Sequence, residues 1–388
     1  MEPDPDDPFD ITDDELRRAG SARWTHPPGD VLPAWIAEMD VRPCPPVLDA
    51  VRTAVDQGMV GYPPIDAGVV GLPEAFAAFV RDRFGWAVDP DLVLPCGDVM
   101  SGVRLALETL CDQAPVVVPV PSYPPMLDVV PLTGRKLVTV PALDGDRRLH
   151  VDAIDAAFAA GARTVLLSSP HNPLGRVWSR AELEGLRDVA ERHGARVISD
   201  EVHAPLVLAG ALHLPYALVD GTARQVTTVT SASKAWNIPG LKCAQLVPGT
   251  AADAAALAAT PHVANHGVSP LGLVAGAAAY TRGRAWLDHL ITELDRRRSE
   301  LADMMAERLP QVAWTPPEAT YLAWLDLRGV PSANPVRRAL VAGRVMVSRG
   351  TDFGPGLDRF TRITFATSAE RLERVVDGLT RAWSTSPG

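Results

Sequence analysis

Short apolar strands that alternate with helices constrain the fold of this chain more than any other feature of its sequence. Between residues 91 and 231, strand-like segments such as 114–120 and 164–168 alternate with helical segments such as 99–110 and 180–193. Parallel strands need crossover connections, and the connecting helices bury both faces of the sheet. The alternation therefore predicts an α/β fold with a mostly parallel sheet that is covered on both faces.

The pattern changes at both ends of this region. Residues 1–45 are rich in proline and predict an extended N-terminal arm, whereas residues 46–280 are expected to form the large α/β domain. Residues 281–388 predict a smaller α+β domain that the arm joins, with helices over 284–308, 335–342 and 369–383 and strands over 321–327 and 359–366.

Composition and charge exclude several classes of protein. Of 388 residues 47% are apolar, which is enough for a large core and excludes disorder as the main state. The net charge is −10 and the longest basic run is the three arginines at 296–298, so we expect no nucleic-acid partner. No apolar run approaches the roughly 20 residues that span a bilayer, so we expect no membrane partner.

The cysteines and the N-terminus bear on metal binding and location. The four cysteines form no CxxC pair and have no metal-site spacing with histidine, so we expect no metal site and a reduced environment. The first residues are acidic and rich in proline, unlike a secretory signal. We therefore expect a cytoplasmic protein.

Lysine is rare in this chain, and one lysine lies where ligands gather in open α/β sheets, at the carboxyl end of a strand. Only three of the 37 basic residues are lysines, and Lys234 follows the predicted strand 225–231. Lys234 has room to form a Schiff base with an aldehyde, and the hydroxyls of Ser231 and Ser233 can bind phosphate oxygens. A surface lysine at a turn is an equally open reading of this motif alone.

Two further strands end in polar residues. Asp200 follows the predicted strand 196–199, where a buried carboxylate needs a cation such as a protonated pyridine nitrogen. A helix N-cap is the alternative for Asp200. Asn172 follows strand 164–168 inside the loop Pro170-His171-Asn172-Pro173-Leu174-Gly175, whose prolines and glycine indicate fixed geometry. Such an asparagine can donate a hydrogen bond to a phenolate oxygen, although the loop could also be an ordinary turn with no ligand.

Two other strand ends complete the set. Tyr123 lies between prolines after strand 114–120 and could present its ring to an aromatic ligand, or could be a core tyrosine. Gly97, Asp98 and Val99 lead from strand 91–94 into a helix, whose first N–H groups form an anion site that Asp98 could also cap. An aldehyde-capturing lysine, a carboxylate, an asparagine, an aromatic ring and an anion site together suit pyridoxal 5′-phosphate.

Several motifs carry a resemblance to a known family. The chain resembles the fold-type I, class I/II aminotransferase-like enzymes that use pyridoxal phosphate in the segments 170–175, 200–203, 231–234 and 240–242. The segments 32–40, 61–62, 170–178, 319–326 and 362–367, with His203, are similar to the MalY/PatB-type carbon–sulfur β-lyases, the cystathionine β-lyase-like branch. The resemblance runs from about residue 24 to residue 379, and implies the fold-type I architecture with a seven-stranded sheet.

The resemblance also implies roles for individual residues. Lys234 would be the Schiff-base lysine and the base at Cα, Asp200 would pair with the pyridinium nitrogen, and Tyr123 would stack on the ring. Asn172 and His203 would face the phenolate oxygen, and Arg362 would clamp the substrate carboxylate. The phosphate would be bound by Gly97, Asp98, Val99, Ser231, Ser233 and Lys242, and by Tyr62 of the neighbouring subunit, which makes a homodimer with shared active sites. Trp35 and Ala37 would contact the substrate.

Two residues depart from the family pattern. Glu38 stands where the family usually has aspartate, which is a mild change. Asp98 stands where relatives are mostly apolar, and a carboxylate facing a phosphate would repel it. We therefore expect Asp98 to turn away and cap the helix, or the phosphate site to be weaker than usual.

The expected reaction is β-elimination on L-cystathionine or another L-cysteine S-conjugate, which yields pyruvate, ammonia and a thiol. The alternative is an aminotransferase acting on an L-amino acid with the same residues. A third reading is a protein that binds pyridoxal phosphate but acts mainly through a partner, which an intact Lys234 argues against.

Overall fold

The computed structural model of the protein describes residues 7–64 and 67–384. Its helices are α1 Asp13–Ala19, α2 Ala22–Thr25, α3 Pro45–Asp56, α4 Leu72–Phe84, α5 Val99–Leu110, α6 Pro124–Leu132, α7 Val151–Ala159, α8 Arg180–Arg192, α9 Ala251–Ala258, α10 Pro270–Arg282, α11 Arg284–Arg308, α12 Pro335–Val341 and α13 Ala369–Trp383. Its strands are β1 Leu32–Pro33, β2 Leu94–Cys96, β3 Val116–Val120, β4 Leu137–Pro141, β5 Thr164–Ser168, β6 Arg196–Asp200, β7 Val226–Thr230, β8 Ala244–Pro248, β9 Ala313–Trp314, β10 Leu322–Asp326, β11 Val345–Met346, β12 Ser348–Arg349 and β13 Phe360–Thr364.

A seven-stranded sheet forms the centre of the molecule, in the order β2-β8-β7-β6-β5-β3-β4. Strands β7, β6, β5, β3 and β4 pair in parallel, and β8 is antiparallel to both β2 and β7. Every residue of β5 and β7 is buried, as expected for parallel strands covered on both faces. The predicted α/β class with a mostly parallel seven-stranded sheet is confirmed.

Helices cover both faces of this sheet. Phe158 of α7 and Leu183 of α8 belong to one buried cluster with Val165 of β5. Leu105 of α5 belongs to a second cluster on the opposite face with Leu166 of the same strand. Because successive strand residues point to opposite faces, two neighbouring residues of one strand supply both cores.

A smaller antiparallel sheet, β12-β13-β10-β9, lies with α11 and α13 in the C-terminal part of the chain. One hydrophobic cluster runs from Phe76 of α4 through Tyr280 of α10 and Leu290 of α11 to Leu325 of β10. The core is thus continuous across residue 280, and the division into 46–280 and 281–388 stays a prediction. Residues 385–388 of the second range lie outside the described residues.

The N-terminal arm differs from the prediction. An extended arm over 1–45 is wrong for residues 13–25, which form α1 and α2, and residues 1–6 lie outside the described residues. Helix α1 begins with a capping box in which Thr12 accepts from the backbone N–H of Glu15 and Glu15 accepts in return. That signal is readable in the sequence and outweighs the neighbouring prolines.

The arm is attached to the C-terminal part of the chain by a strand and by a buried carboxylate. Strand β1 pairs in parallel with β11. Asp40 accepts hydrogen bonds from Arg23, Trp24 and Thr367, and its side chain is fully buried. Coulombic attraction to Arg23 opposes desolvation and keeps the pKa of Asp40 below its ordinary value.

Two other predicted boundaries move. The strand predicted at 91–94 is β2 Leu94–Cys96, because Asp89 and Pro90 start a 3₁₀ turn over Pro90–Leu92. Helix α6 was not predicted, because three of its nine residues are proline. Two of these prolines lie at the start of the helix, where proline is tolerated.

Within residues 7–64 and 67–384, no helix combines the length and apolar character needed to cross a membrane.

Candidate active site

A cavity of about 200 Å³ lies at the carboxyl ends of β3, β5, β6 and β7. Most of the candidate site residues line it: Ala37, Asp98, Val99, Tyr123, Asn172, Asp200, His203, Ser231, Ser233, Lys234 and Lys242. These residues come from seven separate stretches of chain. The rule that polar residues at strand carboxyl ends converge therefore holds for this sheet.

Lys234 lies four residues beyond β7 and reaches the N-terminal arm. Its Nζ donates a hydrogen bond to the carbonyl oxygen of Ala37 over 2.9 Å. Burial and, to a lesser extent, the Arg362 guanidinium lower the pKa of Lys234 to about 8, against the opposing effects of Glu38 and Asp200. A lysine with a lowered pKa holds more uncharged amine near neutral pH, which is the nucleophilic form.

Asp200 is the last residue of β6 and is buried. The backbone N–H of Val202 donates to its Oδ1 over 3.1 Å. Burial raises the pKa of Asp200 to about 7, although this hydrogen bond and the charge of Lys234 act in the opposite direction. A cation placed beside this carboxyl would favour its charged form.

The loop after β5 carries Asn172 to the same cavity. The backbone N–H of Asn172 donates to Ser168 Oγ over 3.2 Å, which fixes the loop to the end of β5. Asn172 Oδ1 accepts a hydrogen bond from Arg362 Nη1 over 3.1 Å. Because Oδ1 is used in this way, the side-chain NH₂ of Asn172 is left to donate into the cavity.

His203 and Tyr123 lie on other parts of the wall. His203 is buried, and its Nδ1 has no hydrogen-bond partner among the described residues. Burial lowers the pKa of His203 to about 3, so its ring is neutral. Tyr123 precedes α6, and burial raises the pKa of its phenol. The ring of Tyr321 lies 5.9 Å from that of His203, and its hydroxyl donates to Ala37 O over 3.0 Å.

The start of α5 forms another end of the cavity. Asp98 caps this helix by accepting from the backbone N–H of Ser101 over 2.8 Å, so the expectation that it caps the helix is confirmed. Lys242 Nζ donates to Asp98 Oδ2 over 2.8 Å. This ion pair places the positive charge of Lys242 against the one carboxylate at this end of the cavity.

The two serines at this end are also engaged. Ser231 Oγ donates to the carbonyl oxygen of Cys243 over 2.6 Å and accepts from the backbone N–H of Ser233 over 3.0 Å. Gly97 does not line the cavity but lies against Gly267, whose oxygen would be 3.1 Å from a Cβ at position 97. Its role at the phosphate stays a prediction.

Arg362 joins this cavity to a second one of about 740 Å³. The guanidinium of Arg362 is buried and bonds Asn172, the carbonyl oxygen of Trp35 at 3.0 Å and Ser348 Oγ at 3.4 Å. It lies 4.9 Å from the centre of the Phe353 ring. Trp35 and Tyr123 also line the second cavity, and Tyr123 lines both.

Tyr62 lies apart from both cavities within one chain. Its side chain is 90% exposed and lines a third cavity, of about 850 Å³, together with Gly267. Gly267 in turn touches Gly97 beside the start of α5. Tyr62 is thus on the surface that adjoins the anion end of the site.

Sequence reasoning missed several residues. Ser168 ends β5 and could have been found by the same strand-end rule that selected Asp200. Tyr321 lies in a segment noted only for its resemblance, and Ser348 and Phe353 carried no signal. They become visible only when β13 places Arg362 beside them.

The side chains present suit pyridoxal phosphate. Lys234 offers an amine of lowered pKa, Asp200 a buried carboxyl without a cation in direct contact, and α5 a helix start. Two buried nitrogens, His203 Nδ1 and Arg362 Nε, have no partner within the described part of the chain. Buried polar atoms of this kind are expected where a polar ligand completes the site.

Comparison with known proteins defines the class. A family model described as aminotransferase class I and II matches residues 33–379. The chain belongs to this family.

Individual relatives are more specific. A cystathionine β-lyase of Corynebacterium glutamicum is 37% identical over 95% of this chain and 97% of its own length. The cystathionine β-lyase PatB of Bacillus subtilis is 33% identical, over 91% of this chain and 92% of its own. A crystal structure from Corynebacterium diphtheriae, provisionally assigned as a PLP-dependent β-cystathionase, has a TM-score of 0.93 at 36% identity and covers 97% of this chain and 99% of that one.

Proposed function

We propose that this protein is a pyridoxal-phosphate-dependent carbon–sulfur β-lyase. It cleaves L-cystathionine or another L-cysteine S-conjugate, with one water molecule, to pyruvate, ammonia and a thiol. The observation that carries the proposal is the cavity that Lys234, Asp200 and Asn172 line together, with Arg362 hydrogen-bonded to Asn172 at its edge. The relatives named cystathionine β-lyase, matched over nearly the whole chain, support this reaction.

The residues that would hold the cofactor follow from the donors in the cavity. Lys234 would hold it covalently through Nζ, and the N–H groups at the start of α5, with Ser231, Ser233 and Lys242, would bind its phosphate. Asp200 would keep a proton on the ring nitrogen, and Asn172 and His203 would face the phenolate oxygen. Tyr123 would pack against the ring.

When bound, pyridoxal phosphate supplies an aldehyde for the substrate amine and a ring that accepts the electron pair released at Cα. Lys234 would then take the Cα proton at Nζ, and its pKa of about 8, lowered chiefly by burial, gives this amine a larger uncharged fraction near neutral pH than an ordinary lysine has. Asp200 keeps the ring nitrogen charged, which makes the electron pair easier to accept.

Arg362 would orient the substrate. Its guanidinium is fixed by Asn172, Trp35 O and Ser348, and its Nε is left without a partner among the described residues. A substrate carboxylate can accept from that Nε and so fix the direction of the Cα–H bond. The cavity of about 740 Å³ that Arg362 also lines would offer room for the departing thiol.

We also propose that the protein acts as a homodimer with shared active sites in the cytoplasm. Val60, Tyr62 and Val69 are exposed apolar side chains close together in sequence, which is unusual for a surface facing only water. A neighbouring chain on this surface would place a Tyr62 near the start of α5. The four free cysteines fit a reducing compartment.

Transamination is the second candidate, because the family itself is described as aminotransferase class I and II. The deciding experiment incubates the holoenzyme with L-cystathionine in the absence of any 2-oxo acid and follows pyruvate and free thiol. We expect many turnovers with equal amounts of both products. Loss of the yellow cofactor colour after one equivalent, with recovery only when a 2-oxo acid is added, would instead establish an aminotransferase.

A further inference from the structure

The carbonyl oxygen of Ala37 accepts two hydrogen bonds at the wall of the candidate active site. Lys234 Nζ donates one over 2.9 Å, and the hydroxyl of Tyr321 donates the other over 3.0 Å. Both lone pairs of this oxygen are therefore occupied. The position of Ala37 thus determines where the amine of Lys234 lies when it is not bound to another group.

Asn237 holds the N-terminal arm two residues beyond Ala37. Its Oδ1 accepts from the backbone N–H of Met39 over 3.0 Å, and its Nδ2 donates to the carbonyl oxygen of Met39 over 2.9 Å. Asn237 has a φ of +55°, in the left-handed region that few residues other than glycine adopt. Such a backbone, together with two hydrogen bonds to a distant segment, indicates a specific task for this side chain.

The turn that carries Asn237 also carries Lys234. The backbone N–H of Ile238 donates to the carbonyl oxygen of Ser233 over 2.9 Å, and this bond encloses both residues in one turn. The arm and this turn therefore meet at two points, the lysine amine on one carbonyl and the asparagine amide on Met39. Asn237 does not line the cavity, so its effect on the reaction must pass through the arm.

The C-terminal part of the chain holds the same stretch of the arm at other residues. The backbone N–H of Ala34 donates to the carbonyl oxygen of Met346 over 2.8 Å, and that of Asp40 donates to Ala366 over 3.0 Å. These bonds attach the two ends of segment 34–40 to the C-terminal strands. Asn237 adds the contact that sets the middle of this segment relative to the turn of the lysine.

We propose that Asn237 is a positioning residue for Lys234. By holding Met39, it keeps the carbonyl of Ala37 where this oxygen binds the free amine. The amine then has one place from which to take the Cα proton, and a base held in place transfers a proton faster than one that moves among several positions. This inference rests on the proposed function for that proton transfer, a step that a lyase and an aminotransferase share.

Asn237→Gly is the test variant, because glycine adopts the left-handed backbone without strain and removes both hydrogen bonds. The substitution changes no charge, so Arg362, Glu38 and Asp200 act on the lysine amine as before. Asn237→Ser, whose side chain is too short to reach both groups of Met39, replaces it if the glycine variant does not fold.

The first measurement uses cofactor-free protein and needs no turnover. With ¹³C at the ε-carbons of lysine only three signals appear, and that of Lys234 is the one missing from Lys234→Ala. Asn237→Gly should move the titration midpoint of this signal to lower pH by about half a pH unit or more, because a fixed carbonyl acceptor favours the charged amine. Asn334→Gly is the matched control and should leave the midpoint unchanged, since it removes a hydrogen bond to a backbone N–H at the start of α12, outside this cavity. An unchanged or higher midpoint in Asn237→Gly overturns the inference.

The second measurement follows proton transfer on the holoenzyme. L-Alanine has no leaving group at Cβ, so in D₂O its Cα proton exchanges for deuterium without elimination, and NMR follows the loss of the Cα–H signal. Asn237→Gly should lower kcat for this exchange about threefold to tenfold per bound cofactor, as expected for the loss of one or two neutral hydrogen bonds. KM should stay within about twofold, because Arg362 keeps its contacts with Trp35 and Ser348.

A purely structural role for Asn237 gives a different result. It would lower the amount of folded enzyme and leave kcat per bound cofactor unchanged, and that outcome overturns the inference, as do equal losses in Asn334→Gly. Failure to form pyruvate from L-cystathionine overturns the proposed lyase reaction instead. The lysine titration still decides the role of Asn237 in that case.

Discussion

Arg362 Nη1 donates a hydrogen bond to Asn172 Oδ1 over 3.1 Å, and this bond joins β13 of the small sheet to the loop after β5 of the large one. The residue proposed to bind the substrate carboxylate is thus positioned by a residue proposed to face the cofactor. Substrate and cofactor binding should therefore be coupled through this pair.

Arg362→Lys should lower kcat/KM for L-cystathionine by at least about tenfold, because lysine cannot make the forked contacts of a guanidinium. Burial lowers the pKa of Arg362 to about 10, so its surroundings already disfavour the charge, and a lysine there would hold it less well. Steady-state kinetics provide the measurement. The control is Arg328→Lys, at an exposed ion pair with Asp326. Unchanged kinetics for Arg362→Lys would show that the carboxylate binds elsewhere.

Lys234→Ala should abolish covalent labelling by cofactor and borohydride, because Nζ is the proposed attachment atom. Mass spectrometry of the digested protein locates the label. Lys136→Ala is the matched control and should keep the label on Lys234, since Lys136 is exposed and does not line the cavity. A label found on another lysine in the Lys234→Ala protein would refute the assignment.

Asp200→Asn should lower kcat by about a hundredfold or more, which is typical of removing one group that stabilises the transition state electrostatically. Most of the cofactor should remain bound, because its phosphate contacts are elsewhere. Absorbance of the bound cofactor and turnover of L-cystathionine are measured on the same sample. Near-normal turnover with bound cofactor would make Asp200 a structural residue.

Removing the cofactor should reveal how much the burial of Asp200 lowers the free energy of unfolding. Its pKa is about 7 in the folded chain against an ordinary 3.8, chiefly because of burial. Between these two pH values the unfolded chain loses this proton and the folded chain keeps it, so the free energy of unfolding falls as pH rises. Below this pH window the contribution of Asp200 to the free energy of unfolding is fully present, and above the window that contribution is lost.

Cofactor-free Asp200→Asn should therefore gain stability relative to cofactor-free wild type as pH rises from about 4 to about 7, with no further gain above. Urea unfolding over a pH series measures the difference. A stability difference that does not change with pH would contradict the raised pKa.

Hybrid dimers test the shared site. A chain with Tyr62→Ala and a chain with Lys234→Ala should each be poorly active alone. In a mixed dimer one site combines an intact Lys234 with an intact Tyr62 of the neighbouring chain, so co-expression should restore about a quarter of wild-type activity. Light scattering on the same samples reports the dimer. No recovery despite mixed dimers would place Tyr62 outside the neighbour's site.

The strand-end residues could be predicted because parallel strands bring their carboxyl ends to one edge. Lys234, Asp200 and Asn172 were each selected from local sequence and meet in one cavity. Their convergence could be predicted because the strand-end rule uses only local sequence and needs no knowledge of long-range contacts.

The residues of the small sheet were not accessible in the same way. Arg362 was chosen only by resemblance, since nothing local separates it from the many other arginines of the chain. Phe353, which lies under its guanidinium, gains meaning only from this tertiary contact. Gly97 shows the same limit, because the need for glycine comes from the approach of Gly267, far away in sequence.

The pairing of β1 with β11 has a consequence for synthesis on the ribosome. Leu32 emerges long before its strand partner Val345. At typical elongation rates of about 5–20 residues per second, the arm waits roughly 15 to 60 seconds for that partner. During this time the large sheet can form, but the carbonyls of Trp35 and Ala37 have no fixed place beside it. The site is therefore completed only after Val345 has emerged, so a chain that stops short of this residue should not carry out the reaction.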